Sequence, residues 1–192
     1  MAWPEGGPGA CEMGGGRVYR DVQGLRAPER LALLEADRVA SICVHDHDVR
    51  TVLDIGTGSG VFAEVFSGLG LDVTGIDIQE PMLEVARKLI PRAHFQYGTS
   101  ENLPFADGSF DLCFLGLVLH ESSRLLRTLR EARRVSAVRA AVLEWPYKKQ
   151  TMGPPLKHRL KTEDILRRAN AAGFSRTQAI SLEHLVLFLL DK

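Results

Sequence analysis

Short apolar runs alternate with amphipathic stretches along most of this chain, and that alternation limits its fold more than any other feature. Residues 51–55 (TVLDI), 71–78 (LDVTGIDI), 93–98 (AHFQYG), 111–119 (DLCFLGLVL) and 140–145 (AAVLEW) read as strands. The stretches between them carry apolar residues at helical spacing. After Gly60, Phe62, Val65, Phe66 and Leu69 follow an i, i+3, i+4, i+7 pattern, and after Pro81 so do Met82, Val85, Ala86 and Leu89. A third helix is expected from about Ser122 to Arg134. Thr162 reads as the cap of a fourth, with Glu163 and Asp164 in its first turn and Gly173 at its stop. A helix over 28–44, with Leu31, Leu34, Val39 and Ile42 on one face, precedes the series. Residues 174–182 (FSRTQAISL) and 184–190 (HLVLFLL) close the chain as a strand pair.

Strands alternating with helices build an open, mostly parallel α/β sheet of Rossmann-like form, with helices on both faces and an antiparallel C-terminal strand. Ligands of such sheets bind beyond the carboxyl ends of the strands, where the strand order reverses. The run TVLDIGTGSG lies at the end of the first strand of the series. Glycines at 56, 58 and 60 allow a tight turn and close approach of a ligand to bare backbone. The helix that follows aims its free N–H groups at the same loop.

A P-loop is excluded, because no Gly-Lys-Ser/Thr follows. A dinucleotide site expects G-x-G-x-x-G, whereas the chain has G-x-G-x-G. Asp54, ahead of the first glycine, suits a cationic or amino-bearing group better than a pyrophosphate. Asp77 ends the second strand, where a carboxylate can accept bonds from both hydroxyls of a ribose, about 1.5–3 kcal/mol for each charged bond. NAD sites use the same device, so Asp77 alone indicates an adenosine-like ligand.

The stretches VLDIGTGSG, VTGIDIQEPMLEVAR, YGTSENLPFADGSFDLCFLGLVLHE and LREARRV, in this order, resemble the motifs of class I S-adenosylmethionine-dependent methyltransferases. The flavour is that of the small-molecule, ubiquinone/menaquinone-biosynthesis-like group (methyltransferase type 11). The resemblance spans most of 51–143. It implies S-adenosylmethionine as cofactor, S-adenosylhomocysteine as product and a small-molecule acceptor. It also implies roles by position. Asp54 and the loop of Gly56, Thr57, Gly58 and Gly60 would hold the methionine moiety. Asp77 would take the ribose, Ile78 would pack on adenine, and Thr99, Ser100 and Glu101 would line the adenine edge. Leu117 would lie near the sulfonium. The family often has Asp-Ala where this chain has Thr99-Ser100, which weakens the bond expected for the adenine amino group.

Methyl transfer from a sulfonium is an in-line displacement and requires no catalytic triad. Positioning alone can supply about 7–11 kcal/mol. His120, at the rim after the fourth strand, is the candidate base; fixing the loop or capping the next helix is the alternative use of that histidine. Glu121, Trp145 and Tyr147 are candidate substrate contacts at the same rim, and Tyr19 is one in an N-terminal lid over 17–47. Residues 145–161 form a long basic loop on the substrate side, read either as a lid that attracts an anionic substrate or as a solvated face. A chain that binds the cofactor without turnover, as a sensor or partner subunit, is the other functional reading.

The remaining features set limits. Formal net charge is zero, which does not favour generic nucleic-acid binding. Cys11, Cys43 and Cys113 make no metal-ligand spacing, and their odd, scattered number fits reduced thiols in a cytoplasmic protein. The apolar run at 185–190 is far too short to span a bilayer. It could form an edge strand needing cover, which leaves a homodimer open. Residues 1–16, rich in glycine and proline, read as a disordered tail ahead of one domain over 17–192.

Overall fold

A computed structural model describes residues 10–13, 16–19 and 22–192, with side chains described from residue 24 onward. The tail expectation falls, for residues 1–9, 14 and 15, outside the described residues. Strands β1 (Ala10–Met13) and β2 (Gly16–Tyr19) pair as a small antiparallel ribbon, and β2 runs beside a 3-10 turn at Leu119–Glu121. Helices α1 (Val22–Leu25), α2 (Pro28–Leu34) and α3 (Ala36–Val44) follow.

The main series is β3 (Thr51–Ile55), α4 (Val61–Gly68), β4 (Asp72–Asp77), α5 (Glu80–Leu89), β5 (His94–Tyr97), β6 (Phe110–Gly116), α6 (Leu125–Val135) and β7 (Ser136–Glu144). Helix α7 (Thr162–Ala172) and strands β8 (Arg176–Ser181) and β9 (Val186–Asp191) complete it. Seven strands form one sheet in the order β5-β4-β3-β6-β7-β9-β8, parallel except for β9, which runs against both neighbours. The chain moves outward from β3 through β4 to β5, then returns to place β6 on the other side of β3. The cleft beyond β3 and β6 is therefore the switch point.

Alternate residues of the central strands feed two cores. Val52, Leu112, Phe114 and Leu187 pack under α3 and α4, where Phe62 and Phe66 both contact the Phe114 ring. Leu53, Cys113, Leu115 and Phe188 pack under α6 and α7, with Leu129 and Ile165. Two helix-bearing faces explain why these strands read as unbroken apolar runs. Asp111 sets the register at the open end of the sheet: its Oδ2 accepts the N–H groups of Arg50 and Thr51 and the Thr51 hydroxyl, each at 2.9 Å. Phe105 and Phe110 pack edge to face, 4.9 Å between ring centres.

Several local expectations change. The helix over 28–44 is two helices, broken at Glu35, which takes left-handed φ of 46°. Its carboxylate accepts the Glu183 N–H at 2.9 Å and pairs with Arg38, a long-range anchor that helical periodicity does not reveal. Leu69 and Leu89, expected inward, are exposed; Leu69 caps α4, while Leu83 and Ile90 take the buried positions around α5. Lys161 is the N-cap residue of α7, and Thr162 is its first helical residue. The fourth strand stops at Gly116, because Leu117 adopts φ of 59°. The C-terminal apolar strand is not an edge: β9 lies between β7 and β8, so the edge argument for a homodimer does not hold. Among the described residues, no helix is long and apolar enough to cross a membrane, and no cluster of three or more His, Cys, Asp or Glu could hold a metal ion.

Candidate functional site

The carboxyl ends of β3, β4, β6 and β7 open into one cavity of about 410 Å³. Its floor is the glycine loop. The N–H groups of Gly56 and Thr57 both donate to the Ile76 carbonyl, at 2.8 and 3.1 Å, which ties the turn to the end of β4. Gly56 has φ of 70°, and a Cβ there would stand 2.3 Å from Val118 Cγ2. Only glycine satisfies both the conformation and the space.

Two carboxylates shape the loop. Asp54 is buried, and its Oδ2 accepts the Thr57 hydroxyl at 2.6 Å. Burial pushes its pKa up to about 7, opposed by the Thr57 bond and reinforced by the charge of Asp77. Asp77 accepts the Gly58 N–H on Oδ2 at 2.8 Å and the Gln79 N–H on Oδ1 at 2.9 Å. Burial also raises its pKa, against the pull of backbone donors at Gly58, Gln79 and Ile78. With these three backbone donors, its carboxylate still keeps an acceptor direction for a further donor. Beside it Ile78 presents an exposed apolar surface to the cavity.

The opposite wall comes from the segments after β5 and β6. Thr99, Ser100 and Glu101 line it. Glu101 Oε1 accepts the hydroxyls of Ser122 and Ser123, at 3.3 and 3.0 Å, which turns this carboxylate toward the start of α6. Leu117, whose N–H donates to the Leu143 carbonyl at 2.8 Å, sits at the end of β6 in its left-handed conformation. Such a conformation costs a non-glycine residue about 1–3 kcal/mol, and it reverses the chain into the 3-10 turn that carries His120 and Glu121.

His120 is the most elaborated group of the cavity. Its Nδ1 lies 3.0 and 2.9 Å from the two oxygens of Glu144, the last residue of β7. Burial lowers the pKa of the imidazole, but the charge and hydrogen bond of Glu144, with the charge of Glu121, outweigh it and leave a net rise; Arg30 opposes them. Glu121 is pushed up to about 7 by burial. Trp145 is buried against the cavity, with Gly153 packed on its ring and the Arg159 guanidinium 5.2 Å above it.

The structure thus brings together Asp54, Gly56, Thr57, Gly58, Asp77, Ile78, Thr99, Ser100, Glu101, Leu117, His120, Glu121 and Trp145 around one space. Gly60 stands behind it as the N-cap of α4. Tyr147 does not line the cavity; it is exposed and carries Lys161 Nζ 5.3 Å from its ring. Tyr19 ends β2, and its side chain lies outside what is described.

Other cavity residues are not marked by motifs. Leu25, Arg30 and Leu34 descend from α1 and α2, and Pro154 and His158 come from the loop after β7. Glu144 had a sequence signal: like Asp54 and Asp77, it is an acid at the carboxyl end of an apolar strand. The loop over 145–161 is neither structureless nor uniformly solvated. Arg159 is buried inside it and donates to the carbonyls of Pro146, Lys148, Met152 and Pro154 and to Gln150 Oε1, while the lysines face outward.

The donor set fits the cofactor that the motifs imply. Among the described residues, Ser59 Oγ is buried at the cavity without a hydrogen-bond partner. Asp54 offers a desolvated acid where an ammonium would be welcome, and Asp77 stands beside the open face of Ile78.

Fold and site resemble those of class I S-adenosylmethionine-dependent methyltransferases, and the comparisons with known proteins point the same way. The sequence profile of the family described as "Methyltransferase domain" matches residues 53–141. The "Uncharacterized methyltransferase YcgJ" of Bacillus subtilis is 35% identical over 123 residues, 62% of this chain and 46% of that protein. A demethylmenaquinone methyltransferase of Renibacterium salmoninarum is 29% identical over 137 residues, 71% of this chain and 56% of that protein. The chain thus spans about half the length of these curated relatives. A crystal structure of a SAM-dependent methyltransferase from Aquifex aeolicus superposes with a TM-score of 0.79 at 23% identity, over 88% of this chain and 96% of that one; it speaks for the fold.

Proposed function

We propose that this chain transfers a methyl group from S-adenosylmethionine to a small-molecule acceptor by in-line displacement. The observation that carries this reading is the shared chamber. Asp54, the glycine loop and Asp77 open into the same cavity as His120, Glu121 and Trp145, so donor and acceptor can meet there without intervening protein. The cofactor supplies an activated methyl sulfonium when bound. The chain's own residues bind and orient. Asp54 pairs with the ammonium, Ser59 Oγ takes a polar atom of the methionine moiety, and Asp77 accepts from the ribose. Ile78 packs on adenine, with Thr99 and Ser100 at its edge. Leu117 borders the sulfonium. His120 receives the acceptor's proton, while Glu121 and Trp145 bound the acceptor space. Leu25 and Leu34 from the N-terminal helices and Pro154 from the loop after β7 add apolar lining suited to a small organic acceptor.

Calorimetric titration with S-adenosylmethionine, S-adenosylhomocysteine and NAD tests the reading. Binding of the first two, lost in Asp77→Ala, is expected. Binding of NAD instead, or of none of the three, overturns it.

A further inference from the structure

We propose that Glu144 is a positioning residue that makes Nε2 of His120 the base for a neutral hydroxyl acceptor. This inference rests on the cofactor reading above and adds to it the chemical class of the acceptor.

The geometry begins with four contacts to one carboxylate. Glu144 Oε1 accepts the backbone N–H of His120 at 3.0 Å, and Oε2 accepts the N–H of Trp145 at 3.2 Å. Both oxygens also face His120 Nδ1. Glu144 is buried, so its rotamer is held from three sides. An ionised carboxylate only accepts, so the proton between the two groups sits on Nδ1. The lone pair of the neutral ring is then on Nε2. No partner for Nε2 is found among the described residues, and His120 lines the chamber. A carboxylate behind a histidine fixes the tautomer and stabilises the imidazolium that forms when a proton is taken. The charged groups facing this ring are Glu144, Glu121 and Arg30, and their balance leaves the imidazole more basic than usual.

That arrangement selects among nucleophiles. A thiol or a carboxylic acid ionises by itself near neutrality and gains little from a base. An anion would also meet Glu121 at the chamber wall, with Glu144 behind His120. An aliphatic amine would be held beside Glu121 as an ammonium, which has no lone pair to donate. A neutral hydroxyl meets no such repulsion and is a poor nucleophile until its proton leaves. As the acceptor oxygen forms the new C–O bond, the C–S bond breaks with its electron pair going to sulfur, and the hydroxyl proton passes to Nε2 of His120. Atoms and charge balance without a further reactant.

The test uses the full-length chain loaded with S-adenosylhomocysteine. Ring-nitrogen NMR of His120 across the neutral pH range reads its tautomer and its titration, in wild type and in Glu144→Gln. Labelled transfer from S-adenosylmethionine is followed to catechol and benzyl alcohol, and to 1,2-diaminobenzene, benzylamine, thiophenol and benzoate. The expected result is an Nδ1–H tautomer, with methyl groups found on oxygen of the hydroxyl probes. In Glu144→Gln the His120 titration moves to lower pH and the rising limb of the pH–rate profile moves with it. Transfer falls by about 10²–10⁴-fold, the usual contribution of a general base, with S-adenosylhomocysteine affinity retained. If Glu144→Gln does not fold, His120→Gln must show the same loss of transfer with affinity retained. An Nε2–H tautomer, a pH–rate limb that does not move, product on nitrogen, sulfur or carboxylate, or no product from either hydroxyl probe overturns the proposal. Failure of S-adenosylhomocysteine to bind overturns the cofactor reading instead.

Discussion

The Arg26 guanidinium closes on the backbone carbonyl of Ser59, with Nη2 at 2.8 Å and Nε at 3.3 Å. Its Nη1 reaches Glu64 Oε2 at 2.8 Å on the first turns of α4. The neighbouring Leu25 is thereby laid over the glycine loop, 3.2 Å from the point a Cβ on Gly58 would occupy. One side chain thus latches the segment between α1 and α2 to the cofactor floor. A hydrogen bond from a charged donor is worth about 1.5–3 kcal/mol, whereas the more exposed Glu64 pair adds about 0–1 kcal/mol. Arg26→Ala should therefore speed the release of S-adenosylhomocysteine roughly tenfold, at about 1.4 kcal/mol per decade. Stopped-flow displacement measures it. Equal release rates in the two proteins would mean that the segment does not gate the site.

Asp54 makes the site sensitive to pH in two ways. Its pKa in the folded chain is about 7, against an ordinary value of 3.8. The folded state therefore holds this proton more tightly than the unfolded one. The contribution to stability is fully present below 3.8 and is lost as pH rises toward about 7. The melting temperature of the cofactor-free protein should fall across that window, and should fall less in Asp54→Asn. An ammonium docked on Asp54 reverses the preference and favours the carboxylate. Binding of S-adenosylhomocysteine below pH 7 should then release protons, seen as a buffer-dependent calorimetric enthalpy. Unchanged proton release in Asp54→Asn would assign the proton to another group.

The outline of this fold was legible because its parallel strands are covered on both faces and so read as plain apolar runs. The order of the last two strands was legible as well, but from a pattern weighed too lightly. HLVLFLL is apolar throughout, as an interior strand must be, whereas RTQAIS is polar at most positions, as an edge strand is. Asp54 and Asp77 stood out beside glycines. Glu144 reads at the same rim, ending its strand beside Trp145, but no glycine loop next to it points to a role. Tyr147 shows the opposite error. An aromatic three residues past a strand end can turn either way, and here it turns outward to Lys161. The break at Glu35 and the internal bonds of Arg159 depend on partners that local spacing cannot name.

Gly56→Ala should be costly, with causes that can be separated. The left-handed φ of 70° costs a residue with a Cβ about 1–2 kcal/mol. The clash with Val118 Cγ2 adds about 1–3 kcal/mol of overpacking. Urea denaturation should show a loss of about 2–5 kcal/mol, the two contributions taken together. In Gly56→Ala with Val118→Ala, the steric part should return and the conformational part remain, relative to Val118→Ala alone. Full recovery in the double variant would mean that the turn tolerates a side chain and that only Val118 demands glycine.

Arg159 holds the loop after β7 from within. Its Nε donates to the Pro154 carbonyl at 2.8 Å, Nη2 to Met152 at 2.6 Å, and Nη1 to Lys148 at 2.9 Å and Pro146 at 3.2 Å, with Gln150 Oε1 also on Nη1. These acceptors come from both limbs of the loop, so the guanidinium sets its path and presses Gly153 onto Trp145. Burial lowers its pKa, yet the group remains charged at any working pH. Arg159→Ala leaves several carbonyls without a donor, at about 1–3 kcal/mol for each that stays buried, and opening the loop to water is the cheaper outcome. Trypsin should then cut rapidly after Lys148, Lys149 or Lys157 in the variant and slowly in the wild type. Arg159→Lys should behave like the alanine variant, because an ammonium cannot reproduce a planar fork aimed at separated acceptors. Cleavage rates equal to wild type in Arg159→Lys would show that charge alone organises the loop.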